Sequence, residues 1–192
     1  MTLWSTSNGR PRSLPVSGGA TRVAFSADGR YLGAACDDGN VRLWFAATTH
    51  RFRVLRGHAA SVTDLAFSLD GVLLATSSAD SDGRIWNIAK GTSLHVLRGH
   101  FGTVTSIAFS PNSQWLATAG PISAIIWPRS TGMMLSFLRG DTALLTSVAF
   151  SPDGHVILTA SEDGTVRTYR CDVCIGLEGL IGLAELRLAR TR

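Results

Sequence analysis

The amino-acid sequence predicts an all-β fold, built from about four units of four antiparallel strands each and followed by a short C-terminal helix. Three markers repeat along the chain with one period of 41 or 42 residues. They are a glycine (Gly57, Gly99, Gly140), the tetrapeptides VAFS, LAFS, IAFS and VAFS beginning at 23, 65, 107 and 148, and an aromatic residue (Trp44, Trp86, Trp127, Tyr169). Because these markers share a period, the chain is an internal repeat of one supersecondary unit.

Within a unit the apolar pattern is that of strands. Residues 21–44 read TRVAFSADGRYLGAACDDGNVRLW, in which ADG and DDG separate three runs rich in β-branched, aromatic and apolar residues. Asp-Gly between such runs is a strong hairpin signal. Residues 51–56, RFRVLR, alternate basic and apolar side chains, as an exposed outer strand should. We therefore expect each unit to contain strands a, b, c and d in order.

Composition narrows the class of protein. The chain is 45% hydrophobic with 20 glycines, enough for one sizeable core. No run of 18 apolar residues predicts a transmembrane helix, and the opening MTLWSTSNGR lacks the pattern of a secretory signal. Three cysteines are too few for a disulfide framework and favour a reducing compartment, so the sequence predicts a cytoplasmic protein without a membrane partner.

The net charge of +4 invites a nucleic-acid-binding interpretation. The arginines, however, are spread over the repeats, as Arg42, Arg84 and Arg167 show, rather than gathered in one stripe. A solvated outer surface explains this distribution, and nucleic acid is disfavoured as a partner.

The repeat resembles the WD40 family, because Gly-His precedes strand a and Trp stands late in strand c. The resemblance implies a partial β-propeller whose blades are the four-stranded units. In that family a hydrogen-bonded tetrad of His, Ser or Thr, Asp and Trp braces each blade. The second unit matches this structural tetrad throughout, with His58, Ser78, Asp80 and Trp86.

The other tetrads are degenerate. The first unit has Cys36, Asp38 and Trp44 but no Gly-His, and the third has His100 and Trp127 with Ala119 and Pro121 in the Ser and Asp positions. The fourth has Asp141, Ser161, Asp163 and Tyr169. Asp141 takes the place of histidine, so we expect it to repel Asp163 unless one carboxyl is protonated or solvated.

The predicted segments run from one incomplete blade to another. They are strands c and d of a preceding blade (1–18), blade 1 (19–56), blade 2 (57–98), blade 3 (99–139), strands a to c of blade 4 (140–170), and a tail with Cys-x-x-Cys and a helix (171–192). Family propellers usually need seven or eight blades to close, so the chain looks like the last part of a larger propeller. The tail is similar to the ending of many bacterial proteins in which a WD40 propeller follows a STAND-type nucleotide-switch region.

Enzymatic motifs are missing. His58, Ser78 and Asp80 have the composition of a hydrolase triad, but Ser78 lies in a strand pattern without a G-x-S-x-G elbow. No phosphate loop or HExxH occurs, so we predict a protein that is not an enzyme and has no cofactor or resident metal. Cys171 and Cys174 are open to three interpretations: two small half-buried thiols, a zinc half-site or a redox pair.

Three functional hypotheses follow. The first is a non-enzymatic scaffold or sensor module that binds a protein partner, an analogy based on the fold. The second is a half-propeller that closes as an eight-bladed homodimer through its open blade edges, and the third is a metal- or redox-responsive element at the Cys-x-x-Cys. For the first, the d–a and b–c loops would form the partner-binding face, with Asp37, Ser61, Ala79, Phe101, Thr103 and Glu162.

Overall fold

The computed structural model describes residues 1–6, 8–16, 18–48, 50–171 and 174, and these residues contain seventeen β-strands and no α-helix. The predicted C-terminal helix lies outside the described residues. The first two strands, β1 (Thr2–Trp4) and β2 (Pro11–Ser13), form a two-stranded antiparallel sheet. They occupy the positions where the sequence predicts strands c and d of an incomplete blade.

The remaining strands form one antiparallel sheet per unit, in the order a, b, c, d. Blade 1 consists of β3 (Ala20–Phe25), β4 (Tyr31–Cys36), β5 (Asn40–Phe45) and β6 (Arg51–Arg56). Blade 2 consists of β7 (Val62–Phe67), β8 (Leu73–Ser78), β9 (Asp82–Asn87) and β10 (Thr92–Arg98). Blade 3 consists of β11 (Ser106–Phe109), β12 (Trp115–Ala119), β13 (Ala124–Pro128) and β14 (Ser136–Leu138). Blade 4 has three strands, β15 (Leu145–Phe150), β16 (Val156–Ser161) and β17 (Val166–Arg170). The predicted partial propeller of four blades is confirmed.

The a–b turns share one hydrogen-bond pattern. In blade 1 the Ser26 hydroxyl donates to Asp28 Oδ1 at 2.6 Å and accepts from the Tyr31 backbone N–H at 2.9 Å. Gly29 closes the turn at φ +69°, a conformation that glycine adopts without a steric penalty. The same bonds recur in the other blades, through Ser68 and Asp70, Ser110 and Asn112, and Ser151 and Asp153. The S-x-D/N pattern therefore sets where strand a ends and strand b begins.

The hydrophobic core lies between neighbouring blades. Leu43 and Leu55 of blade 1 belong to one buried cluster with Leu65 and Leu74 of blade 2. Two further clusters lie between blades 2 and 3 and between blades 3 and 4. Each sheet therefore buries its faces against the next sheet, and burying apolar surface contributes roughly 25 cal/mol per Å².

Threonines in or next to strand a link each of the first three blades to the following one. The Thr21 hydroxyl donates to Val62 O at 2.5 Å, Thr63 donates to Val104 O, and Thr105 donates to Leu145 O at 2.5 Å. Each hydroxyl reaches a backbone carbonyl at, or two residues before, the start of strand a in the following blade. These bonds fix how far one blade is displaced along its neighbour.

A buried carboxylate links three blades at the level of strand a. Asp64 of blade 2 accepts a hydrogen bond from Arg22 Nε of blade 1 at 3.1 Å. Its other oxygen accepts from the Ser106 hydroxyl at 3.0 Å and from the Ile107 backbone N–H at 3.2 Å, both in blade 3. The Asp64 side chain is 9% exposed, so these donors replace the water that a surface carboxylate would bind.

We predict that Asp64→Asn lowers the free energy of unfolding by about 1–3 kcal/mol. The amide that replaces the carboxylate has an NH₂ group in the place of one acceptor oxygen. This NH₂ group faces the donor of either Arg22 or Ser106, so at least one hydrogen bond is lost. Urea denaturation followed by tryptophan fluorescence measures the change. Asp28→Asn is the matched control, since an asparagine keeps the turn bonds of that position. Equal and small losses in both variants would contradict the role assigned to Asp64.

The described chain ends in a disulfide just after blade 4. Cys171 follows β17 and forms a disulfide with Cys174, and both side chains are buried among residues of blades 3 and 4. The expectation of two half-buried free thiols is therefore wrong. No helix among the described residues is long and apolar enough to cross a membrane.

Candidate protein-interaction surface

The brace of blade 2 is a hydrogen-bonded chain of four side chains. His58 Nδ1 lies 2.9 Å from Asp80 Oδ2, and His58 Nε2 lies 2.8 Å from Thr76 Oγ1. The Trp86 indole N–H donates to the same Thr76 oxygen at 2.9 Å. The hydroxyl of the tetrad therefore belongs to Thr76, and the sequence-based assignment to Ser78 is wrong.

Strand register explains the correction. Trp86 pairs with Leu74 across the sheet, and Thr76 is the next residue on the same face, about 7 Å away along the diagonal. Ser78 lies four residues beyond Leu74, about 13 Å along the strand, which is out of reach of the indole. Ser78 instead donates to Ala60 O at 3.2 Å or Ser61 O at 2.9 Å and holds the d–a loop. No hydrogen bond joins Ser78 to His58 in the described chain, so the composition of a hydrolase triad has no matching geometry.

Burial keeps the histidine of blade 2 neutral. It lowers the pKa of His58, although the hydrogen bond that His58 donates to Asp80 opposes the shift. Burial would raise the pKa of Asp80, but the Ala59 backbone N–H and His58 outweigh it and lower the pKa. A neutral His58 donates through Nδ1–H to Asp80 and accepts at Nε2 from the Thr76 O–H. Each hydrogen bond of this series is then donated in the same direction, from the Trp86 indole through Thr76 and His58 to Asp80.

Blade 3 has the same chain without its carboxylate. His100 Nε2 lies 2.7 Å from Thr118 Oγ1, which accepts the Trp127 indole N–H at 2.8 Å. Burial lowers the pKa of His100 to about 4. Gly120 takes the place of Ser78, because Leu145 N donates to Gly120 O as Val104 N donates to Ser78 O in blade 2. The expectation that Ala119 fills this position is wrong by one residue, and Thr118 was missed because the Ser position was assigned two residues too late.

Blade 4 replaces the imidazole by an ion pair. Asp141 accepts from Thr159 Oγ1 and from Tyr169 OH, each at 3.1 Å, and Arg167 Nε binds its other oxygen at 3.1 Å. Burial, together with Asp141, raises the pKa of Tyr169.

The expected repulsion between the carboxylates of Asp141 and Asp163 is not what the structure shows, because each has its own donors. Asp163 accepts from the Thr142 backbone N–H at 3.0 Å and from Thr165, and these bonds lower its pKa. Ser161 donates to Ala143 O at 3.4 Å, as Ser78 does to its own loop.

Blade 1 has an ion pair in its b–c turn. Arg42 binds Asp38 through two nitrogens, with Nη1 at 3.0 Å and Nη2 at 2.5 Å, and this pairing lowers the pKa of Asp38. Cys36 is fully buried beside Trp44, and burial raises the pKa of its thiol. Ala34 stands 42 residues before Thr76, so no hydroxyl occupies that position in blade 1.

The d–a and b–c loops meet at one end of the blades, as the sequence predicts. Asp37 of blade 1 accepts a hydrogen bond from the Ser61 hydroxyl of blade 2 at 3.0 Å. The backbone N–H of Ala79 donates to Ser61 O, and that of Glu162 donates to Leu144 O. Thr103 is half-buried beside this face. The named residues therefore share one end of the molecule without forming a single cluster.

The most exposed apolar residues of this end belong to blade 3. Phe101 is 100% exposed and Ile122 is 64% exposed. The corresponding turns of blades 1, 2 and 4 have aspartates (Asp37, Asp38, Asp80, Asp82, Asp163), whereas blade 3 has Gly-Pro-Ile-Ser at 120–123. Ile122 was not singled out from the sequence, although the loss of Asp from this one turn was the available signal.

A pocket of about 480 Å³ lies beside this apolar pair. Three short segments line it: the d–a loop at 99–101, the b–c turn at 121–123, and the end of strand d with the following loop, through Phe137, Arg139, Gly140 and Asp141. Arg139 lies over the Phe137 ring, with its guanidinium carbon 5.3 Å from the ring centre. Within the described part of the chain, no three His, Cys, Asp or Glu side chains cluster in a way that would hold a metal ion.

We predict that His58→Ala lowers the free energy of unfolding by about 1–3 kcal/mol, because it removes one hydrogen-bond partner from Asp80 and one from Thr76. His100→Ala should cost less, since only Thr118 loses a partner in blade 3. Urea denaturation of both variants measures the difference. Equal losses would show that the Asp80 carboxylate does not take part in the brace.

Comparison with protein families matches the WD domain, G-beta repeat, at residues 12–44, 50–87, 91–127 and 132–170. Each match begins within a strand d or at most four residues before one and ends in strand c of the following blade, so a family repeat is offset from a blade by one strand. No curated protein matched the chain in a sequence search. The four matches cover more than half of the chain and coincide with the strands of its blades, and the chain belongs to the WD40-repeat family.

Proposed function

We propose that this chain is a non-enzymatic interaction module that binds a protein partner through the loop face of blade 3, as part of a larger WD40 propeller in a bacterial scaffold or sensor protein. WD40 repeats in general mediate protein–protein interactions. The observation that supports this location is that the fully exposed Phe101 and the exposed Ile122 line one pocket with mostly apolar walls. Aromatic side chains placed over a pocket are typical anchors of protein interfaces.

The support below the pair is rigid. His100 precedes Phe101 and is held by Thr118, which in turn binds Trp127. Gly102 follows Phe101, and a Cβ at this position would lie 3.0 Å from Pro121 Cγ. The d–a loop and the b–c turn are therefore packed against each other, which lowers the entropy that the surface loses when a partner binds.

Selection from a random peptide library displayed on phage tests this proposal. We expect enriched peptides to bind the purified chain and to bind Phe101→Ser and Ile122→Ser at least tenfold more weakly. Leu69→Ser is the matched control, because Leu69 is 65% exposed and lies in the a–b turn at the opposite end of blade 2. A library without enriched sequences, or peptides that bind the Phe101 variant unchanged and crosslink to the outer d strands, would contradict the proposal.

A second candidate function is self-assembly into a closed eight-bladed dimer. Val23 in strand a of blade 1 is 50% exposed, whereas its counterparts Leu65, Ile107 and Val148 are 3–5% exposed. At the other end, no strand d of the described residues pairs with β17, and Val166 is 67% exposed. An uncovered blade face and an unpaired strand edge both favour association, and strand β2 of a second copy would fit beside β17.

Light scattering on the purified chain decides the second candidate. We expect a discrete dimer that dissociates when residues 1–17 are deleted, because the deletion removes β2. Deletion of residues 1–8, which retains β2, is the control. A monomer, or a mixture of sizes that the longer deletion leaves unchanged, would contradict closure through this strand.

A further inference from the structure

The histidine Nδ1 that binds a carboxylate within blade 2 has no such acceptor in blade 3. In blade 2 the Asp80 carboxylate accepts both from His58 Nδ1 and from the Ala59 backbone N–H, each at 2.9 Å. Blade 3 has His100 in the same position, but its b–c turn contains Pro121 and Ile122 where the carboxylate would lie. No carboxylate of the described residues takes over this role at His100.

The hydrogen-bond chain determines which nitrogen of His100 bears the proton. Trp127 Nε1–H donates to Thr118 Oγ1, and the only acceptor among the described residues for the Thr118 O–H is His100 Nε2. A neutral imidazole that accepts at Nε2 must bear its proton on Nδ1. Because His100 is only 8% exposed, burial keeps it neutral and its pKa is about 4.

The His100 ring lies at the pocket. His100 is one of the residues that line the pocket, and Nδ1 has no partner in the described chain. Gly120 makes this placement sterically feasible, because a Cβ on Gly120 would lie 2.1 Å from His100 Nδ1. The described chain thus leaves this N–H without an internal acceptor, and a ligand in the pocket can supply one.

The charges around the pocket favour an anionic acceptor. Asp141 already forms an ion pair with Arg167, whose Nε lies 3.1 Å from its carboxylate, and accepts hydrogen bonds from two hydroxyls. Arg139 lies over Phe137 and makes no ion pair with the described residues. The lining therefore combines one uncompensated cation and one free N–H with the apolar side chains of Phe101 and Ile122.

We infer that the pocket binds an aspartate or glutamate side chain of a partner peptide, with an adjacent apolar side chain against Phe101 and Ile122. The inference rests on the proposed function and specifies its ligand. The partner's carboxylate accepts from His100 Nδ1–H and pairs with Arg139, and in this way it completes in trans the brace that Asp80 completes within blade 2. The same side chain of the partner therefore both completes the brace of blade 3 and holds the peptide in the pocket.

The probe is the blocked peptide acetyl-Ala-Leu-Asp-Phe-Ala-amide, compared with the same peptide carrying Asn in place of Asp. We expect calorimetry on the full chain to give at least tenfold weaker binding for the Asn peptide. In protein labelled with ¹⁵N-histidine, the Asp peptide should shift the His100 Nδ1 resonance and leave that of His58 unchanged. Arg139→Gln should weaken binding of the Asp peptide at least tenfold. Arg98→Gln is the matched control, because Arg98 is 41 residues earlier at the same point of blade 2, and it should have no effect.

A second variant separates a loss of binding from a loss of folding. Ile122→Asp places a carboxylate two residues after Gly120, as Asp80 stands two residues after Ser78, so it should abolish binding of the Asp peptide and raise the urea midpoint of unfolding. Three results would overturn the inference: equal affinity for the Asp and Asn peptides, absence of binding by either, or binding without a shift of His100. Stronger binding of a peptide with a free C-terminal carboxylate and no acidic side chain would also overturn it. Phage-selected peptides that depend on Phe101 but not on Arg139 would leave the proposed function standing without this ligand.

Discussion

A four-stranded sheet has two faces, and this protein covers both by stacking sheets around one another. The apolar residues that a single unit exposes, such as Leu43 and Leu55 of blade 1, are buried only because blade 2 lies against them. Local hydrogen bonds within a sheet do not supply this burial. The contact between neighbouring blades is therefore the interaction on which the remaining structure depends.

Polar bonds give that contact its alignment. Apolar packing is non-directional, so it permits one sheet to slide along another. The threonine hydroxyls of strand a and the Asp64 carboxylate reach specific backbone and side-chain donors or acceptors in the next blade. Because the Asp64 carboxylate is buried, a displaced blade would leave it unsatisfied, and the stacking has one favoured register.

The braces within the blades show what happens when one member changes. Blade 2 has the full chain from Trp86 to Asp80, blade 4 has an ion pair centred on Asp141, and blade 3 stops at His100. In blade 3 the same substitutions that remove the carboxylate also place apolar residues on the loop face. The loss of the carboxylate and the exposure of Ile122 therefore have one origin in the turn at 120–123.

The sequence by itself determined the period, the order of strands, the turns between them and the blade that lacks its aspartate. These features depend on neighbours a few residues apart, such as Ser26 and Asp28, and local backbone geometry decides them. Only the tertiary structure decided that Thr76 rather than Ser78 meets Trp86, that Asp141 pairs with Arg167, and that Val23 is open while Leu65 is buried. Those contacts join residues on different strands or blades, so they depend on strand register and on how the sheets stack, which no local pattern encodes.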